Sequence, residues 1–311
     1  MAIFRMGLVG AGRMGRTHMR ALAASDVVRV VAVADPLESA RAAVEGAGIC
    51  VYADLAAMLR AGGLDGVLIA SSSDTHLAAI AELAGAGTPI LCEKPCGLTS
   101  RQGQEAAALA ASAHVPLQVA YWRRYVPSLR KLKSRIDLGE LGDLYLVTCY
   151  QWDERPPPPS FRTRSGGIFA DMAVHEFDQI RWLSGQNIES LHALAARISS
   201  DAPVPGDAES AQVLCALSGG TTGLVSLGRR FPLGDVCKME VFGTRNAEEC
   251  RFLWPPSADQ TFLEALRLQA ESFVRWVGGA AAEGASALDA VAALDAAERA
   301  SQIFQNEREE R

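Results

Sequence analysis

The sequence predicts an α/β chain of two domains: an N-terminal doubly wound parallel sheet, then a C-terminal α+β half built on a mostly antiparallel open sheet. Two observations carry this. Over residues 3–120 short apolar strands alternate with helical stretches, and beyond residue 120 the alternation stops and strand-like runs follow one another between turn signals. A chain of 311 residues can build two cores, placed at residues 1–120 and 121–311.

Composition narrows the function classes. Net charge is -6, with 49% hydrophobic and 21% charged residues, as in an ordinary globular protein. The basic residues are scattered apart from Arg123, Arg124, Arg130, Lys131, Lys133 and Arg135, with no aromatic-basic repeat, so no nucleic-acid partner is expected. Seven cysteines, none in a C-x-x-C pair, argue against a disulfide framework and against a metal cluster, and suit a reducing, cytoplasmic setting. The N-terminus has no signal-peptide pattern, and no apolar run nears the roughly 18 residues of a membrane span, so no membrane partner is expected.

A strand over 3–9 runs into Gly10-Ala11-Gly12-Arg13-Met14-Gly15, and a helix follows over 14–24. Strand, glycine turn and helix in that order let backbone approach a pyrophosphate and present helix N-terminal amides to it. A second strand over 27–34 ends at Asp35, twenty residues beyond Gly15, where the dinucleotide fingerprint has its acid. A carboxylate there accepts from both ribose hydroxyls and repels a 2'-phosphate, favouring NAD over NADP. Asp35 equally caps a helix starting at Pro36, and Arg41, one helical turn on, could reach a phosphate.

The alternation continues with a helix over 37–47, a strand at 51–52, a helix over 54–60 and a buried strand over 66–70. The next turn, Ser71-Ser72-Ser73-Asp74-Thr75-His76, is expected to overlook the nicotinamide side of a cofactor crevice. A helix over 75–86, a strand over 90–92, the turn Glu93-Lys94-Pro95, a helix over 99–113 and a strand over 117–120 complete a Rossmann-type sheet. A lysine at a strand's carboxyl end beside a cofactor can hold a substrate oxygen; a surface lysine before a turn proline reads the same way in sequence.

In the second half a helix is expected over 127–138, a strand over 144–152, and an extended, stiff surface loop through the prolines 156–159. Gly166 and Gly167 then precede a helix over 168–183, ended by Gly185. Asp171, His175 and Asp178 share one face of it, so a carboxylate can orient an imidazole. Taken alone, that face carries either a helix-start acid with a core histidine or a catalytic pair. Strands over 188–198, 209–217, 222–230, 236–242 and 248–253 make the sheet this helix covers, with turns between them such as 201–207. Helices over 260–277 and 287–305 and a frayed tail at 307–311 close the chain.

The glycine turn with His18, then Glu93-Lys94-Pro95, then Gly166-Gly167 ahead of Asp171, His175 and Asp178 resemble the glucose-fructose oxidoreductase and inositol dehydrogenase family (Gfo/Idh/MocA). Residues 118–125 and the stretch to Gly142 are most similar to its inositol 2-dehydrogenase branch. The resemblance implies a catalytic group of Lys94, Asp171 and His175, with Arg124 near a substrate hydroxyl and Asp153 lining the pocket. It implies NAD-dependent oxidation of a secondary alcohol on a polyol or sugar, in a homo-oligomer, dimer or tetramer. Its rivals are a keto-sugar reductase, an NAD-using glycosidase and a dinucleotide sensor without turnover. The chain departs from the family in being shorter between Phe252 and Phe273, where the outer sheet is built, and in lacking a Pro-Asn pair in the Ser71 to Asp74 turn.

Overall fold

The structure is a computed structural model that describes residues 2–46, 48–163, 165–196 and 207–309, the side chains of 307–309 excepted. Packing divides the chain into a unit of residues 1–122 and 263–291 and a unit of residues 123–262 and 292–311.

In the first unit β1 (Phe4–Val9), α1 (Arg13–Leu22), β2 (Val28–Ala34), α2 (Glu38–Ala42), β3 (Cys50–Tyr52), α3 (Leu55–Ala61) and β4 (Gly66–Ile69) follow in turn. They are continued by α4 (His76–Gly85), β5 (Ile90–Glu93), α5 (Ser100–Ser112) and β6 (Leu117–Ala120). These six strands are parallel, in the order β6-β5-β4-β1-β2-β3. The order reverses direction between β1 and β4, which is the switch point of a Rossmann sheet. The central strands β4, β5 and β6 are buried at every position, as parallel strands covered on both faces require, whereas the edge strand β3 is not.

In the second unit come α6 (Pro127–Asp137), β7 (Leu144–Trp152), α7 (Pro159–Arg162), α8 (Val174–Ser184), β8 (Ile188–Ala196), β9 (Ser210–Leu217), β10 (Thr222–Gly228), β11 (Val236–Gly243) and β12 (Ala247–Leu253). The sheet order is β12-β11-β7-β10-β9-β8, antiparallel except for the β7 and β10 pair. Helix α8 covers one face, as expected: Ile180 lies where a Cβ on Gly223 of β10 would come within 3.1 Å, and Gln179 reaches Met239 of β11. Strand β9 alternates buried and exposed residues, and the opposite face leaves Leu194 and Leu214 exposed.

Several elements differ from the sequence reading. Helix α9 (Ala258–Val277) joins the first unit from Leu263 on, where Phe273 meets Phe4 edge-on at 6.3 Å, and β13 (Ala285–Ser286) adds an antiparallel edge strand to β6. A single boundary after residue 120 assigns these segments to the second domain, because a helix's apolar stripe does not name the sheet it packs on. Helix α2 stops at Ala42 rather than at 47, and glycines at 46 and 48 follow it. Pro159 opens α7 instead of prolonging an extended run, in keeping with proline's fit to the first helical position. The tail is helical through Glu309, in α10 (Ala287–Glu309). Residues 197–198, 201–206 and 310–311, read from sequence as a strand end, a turn and a tail, lie outside the described residues, as does Ala47.

Candidate active site

The glycine turn is built for close approach of a ligand. Gly10 has φ +96°, and a Cβ there would meet the Ser71 amide at 2.6 Å; one on Gly15 would overlap the Gly10 carbonyl. At Gly12 a Cβ would meet nothing within 4 Å, so the backbone between Arg13, Met14 and the strand end lies open. Asp35, past the carboxyl end of β2, accepts from the Ala11 amide at 2.8 Å and from the Leu37 amide at 2.9 Å. Its carboxylate therefore ties the glycine turn to the backbone ahead of α2, whose N-cap is Leu37 rather than Asp35. Arg41 donates to the Asp35 and Pro36 carbonyls at 2.7 and 3.0 Å, which turns its guanidinium onto backbone rather than toward a phosphate. The residues fit a dinucleotide with a free 2'-hydroxyl. Replacing Asp35 by alanine is expected to shrink discrimination between NAD and NADP roughly tenfold or more, measured as the ratio of their dissociation constants by fluorescence titration; an unchanged ratio would assign cofactor choice to another residue.

Two further turns stand at the same carboxyl edge. Ser71 Oγ bonds Thr75 Oγ1 at 2.7 Å, and Ser72 is exposed. His76, read from sequence as a cofactor contact, is buried, with Nδ1 at 2.7 Å from the Pro95 carbonyl and Nε2 at 3.1 Å from the Ser71 carbonyl. It braces the two turns against each other. Glu93 is bound by His18 of α1 at 2.6 Å, and its other oxygen accepts from the Lys94 amide at 3.3 Å. The Lys94–Pro95 peptide is cis. Lys94 thus follows a strand end whose neighbours on both sides are fixed.

The second unit holds the other candidates. Gly166 and Gly167 both have φ +79°, and a Cβ on Gly166 would meet that of Ala170 at 2.8 Å. Asp207 then anchors the start of the helix, taking the Ile168 amide at 2.7 Å, its own neighbour Ala208 at 2.8 Å and Arg162 Nε at 2.6 Å. The helix is not regular: Phe169–Ala173 forms a π-helical turn before α8. That extra residue per turn re-aims Asp171 relative to His175, and such turns recur at functional sites. Periodicity gave no sign of it.

Asp171 accepts from Arg229 at 3.2 Å, and His175 is buried one turn on. Asp178 pairs with an arginine of its own. It takes Arg124 Nε at 2.9 Å and Nη2 at 2.6 Å, a buried bidentate pair that locks Arg124 onto α8, with its guanidinium 6.0 Å from the Trp182 ring. Arg123 beside it is buried against Glu176, Gln179 and Gln151. Burial would push its guanidinium down, but Glu176 and then Cys237 outweigh this and raise it.

Asp153 follows the end of β7, where its amide bonds the Gly228 carbonyl at 2.9 Å. Burial first, then the Asp235 and Asp171 carboxylates, push its carboxyl from 3.8 up to about 6, against the lowering effect of Gln151 and Arg229. Folding therefore takes up a proton between about pH 4 and 6. That stabilisation is complete below pH 4 and is lost as pH rises through 6, a change on the order of 3 kcal/mol. Urea unfolding from pH 4 to 7 is expected to show this loss relative to Asp153→Asn; parallel curves for the two proteins would contradict the assignment.

Sequence reasoning missed Arg162, Asp207 and Arg229. A charged residue directly after an apolar strand, as in Leu227-Gly228-Arg229, is the signal that was there for the last. For Asp207 there was none, since Arg162 and Ile168, which it holds, lie about forty residues away in sequence.

The chain is similar to known proteins along most of its length. Residues 4–121 match the family described as oxidoreductase family, NAD-binding Rossmann fold, and residues 129–247 match the GFO/IDH/MocA C-terminal domain. The chain is 51% identical over 304 residues to the rhizopine catabolism protein MocA of Rhizobium meliloti, covering 98% of this chain and 96% of that one. It is 32% identical over 314 residues to an inositol 2-dehydrogenase of Rhizobium meliloti strain 1021, with 95% of each chain covered. A crystal structure of scyllo-inositol dehydrogenase from Lactobacillus casei with bound NAD(H) and scyllo-inositol superposes with a TM-score of 0.87 at 25% identity, over 98% of both chains. With both halves matched and the glycine turn, Asp35 and Lys94 in place, the chain belongs to the Gfo/Idh/MocA family of NAD-binding oxidoreductases.

Proposed function

We propose that the protein oxidises a secondary alcohol of a cyclic polyol or sugar, inositol-like in shape, with NAD as hydride acceptor. The observation that carries this reading is the helix start in the second unit: Asp171, fixed by Arg229, precedes a buried His175 by one turn. The named relatives and the scyllo-inositol complex support a polyol as the substrate class.

Each residue has a defined task. The glycine turn, Arg13, Met14 and Asp35 hold the dinucleotide, and Ser71, Ser72 and Glu93 frame the nicotinamide end, with His76 bracing their turns. When bound, NAD supplies the carbon that receives the hydride. His175 takes the hydroxyl proton as general base; Asp171 orients the imidazole and favours its charged form. Lys94 stabilises the developing alkoxide, and Asp153 accepts from a substrate hydroxyl.

The protein is a homo-oligomer in this reading, with the open sheet face bearing Leu194 and Leu214 as its contact. Seven free thiols, six of them buried, suit the cytoplasm. The test is a panel of myo-inositol, scyllo-inositol, glucose and gluconate with NAD or NADP, followed by absorbance of reduced nicotinamide. Turnover of an inositol with NAD supports the proposal, and no reduction with any polyol would refute it.

A further inference from the structure

Strands β7 and β10 run parallel with Trp152 opposite Gly228, so the next residues on each, Asp153 and Arg229, leave the sheet side by side. The π-helical turn carrying Asp171 packs on β10. Arg229 is fully buried and is among the largest side chains in the protein to be so. The charged groups facing it come from three elements: Asp171 on the turn, Asp207 ahead of β9, and Asp153 at the end of β7. Its amide is held separately, on the Glu209 carbonyl at 2.8 Å.

The way it meets these groups differs from its neighbours. Arg124 and Arg162 grip their carboxylates through short bonds of 2.6 to 3.0 Å, as braces do. Arg229 stands 3.2 Å from Asp171 and 3.6 Å from Asp207, and its Nε and Nη2 make no hydrogen bond among the described residues. Burying a guanidinium so poorly bonded is costly, and a hydrophobic residue of similar volume would fill the space without that cost. Arg162 and Arg230 already serve Asp207 and Glu209. What Arg229 adds is a positive charge beside Asp171 and Asp153.

We propose that Arg229 is a positioning residue for the reaction, fixing the Asp171 carboxylate and balancing its charge so that His175 remains available as base near neutral pH. This rests on the polyol dehydrogenase reading. Its cation opposes protonation of the imidazole, while the carboxylate it holds orients the ring.

The test compares Arg229→Met and Arg229→Lys with the wild type, using the best substrate of the panel above. In Arg229→Met, kcat is expected to fall about one hundredfold and the acid limb of the kcat/KM profile to move about one unit higher in pH. NAD affinity is expected to stay unchanged. Arg229→Lys keeps the charge and should hold the acid limb at its wild-type position with a smaller loss of kcat. A limb unmoved in Arg229→Met, or displaced equally in Arg229→Lys, would overturn the proposal. If Arg229→Met does not fold, the limb of Arg229→Lys decides alone. If the wild type turns over no polyol, the dehydrogenase reading fails, and the His175 imidazole titration by NMR decides the role of Arg229. A midpoint moved upward in the Met variant but not in the Lys variant supports it; one unmoved in Met or displaced in Lys overturns it.

Discussion

Replacing His175 by alanine is expected to lower kcat by about a thousandfold, within the 10²–10⁴ range for loss of a general base, while leaving NAD affinity unchanged. The separation follows from where the residues sit in the chain. His175 belongs to the second unit, whereas the glycine turn, Asp35 and the Glu93 turn belong to the first. Without the imidazole the hydroxyl proton passes to water, so the loss should shrink as pH rises and hydroxide takes over. Stopped-flow turnover together with a fluorescence titration of NAD measures both halves. A variant with near wild-type turnover would remove His175 from the mechanism; one that also lost NAD binding would point to a folding defect.

The largest expected effect on stability comes from Glu176→Ala. Glu176 is fully buried and receives Arg123, itself buried among Gln151, Gln179 and the Phe252 ring. Removing the carboxylate takes a close counter-charge from a guanidinium buried in the interior, and the cost is about 3–5 kcal/mol. Glu249→Ala, which removes the surface pair with Arg251, should cost under about 1 kcal/mol. Urea unfolding of the two variants provides the comparison, and equal midpoints would show that the Arg123 pair is not what holds α8 in place.

The parallel half was legible because its signals are local. Each strand is a short apolar run ended by a turn residue with its own chemistry, and Gly10, Asp35, Ser71 and Lys94 all fall at carboxyl ends, as the alternation requires. The six-stranded sheet of the second unit was legible for the same reason, from alternating runs between turns. Long-range packing was not. Nothing in the stretch from Leu263 says that it returns to the first unit, nor that Ala285 and Ser286 extend its sheet. Spacing placed Asp171 and His175 on one helix face, yet the π-helical turn that carries Asp171 and the arginines Arg123, Arg162 and Arg229, whose partners are distant in sequence, gave no such signal. The same holds for Arg124. Its sequence neighbourhood gives no sign of the buried bidentate pair it makes with Asp178, fifty-four residues on.

The central claim is direct hydride transfer from a polyol carbon to nicotinamide. Incubating the protein with NAD and an inositol deuterated at its ring carbons, then analysing the reduced cofactor by mass spectrometry, tests it most directly. One deuterium in each reduced nicotinamide, with the matching ketone as product, is the predicted result. Ketone formed with unlabelled cofactor, or no reduction of NAD by any deuterated polyol, would contradict it.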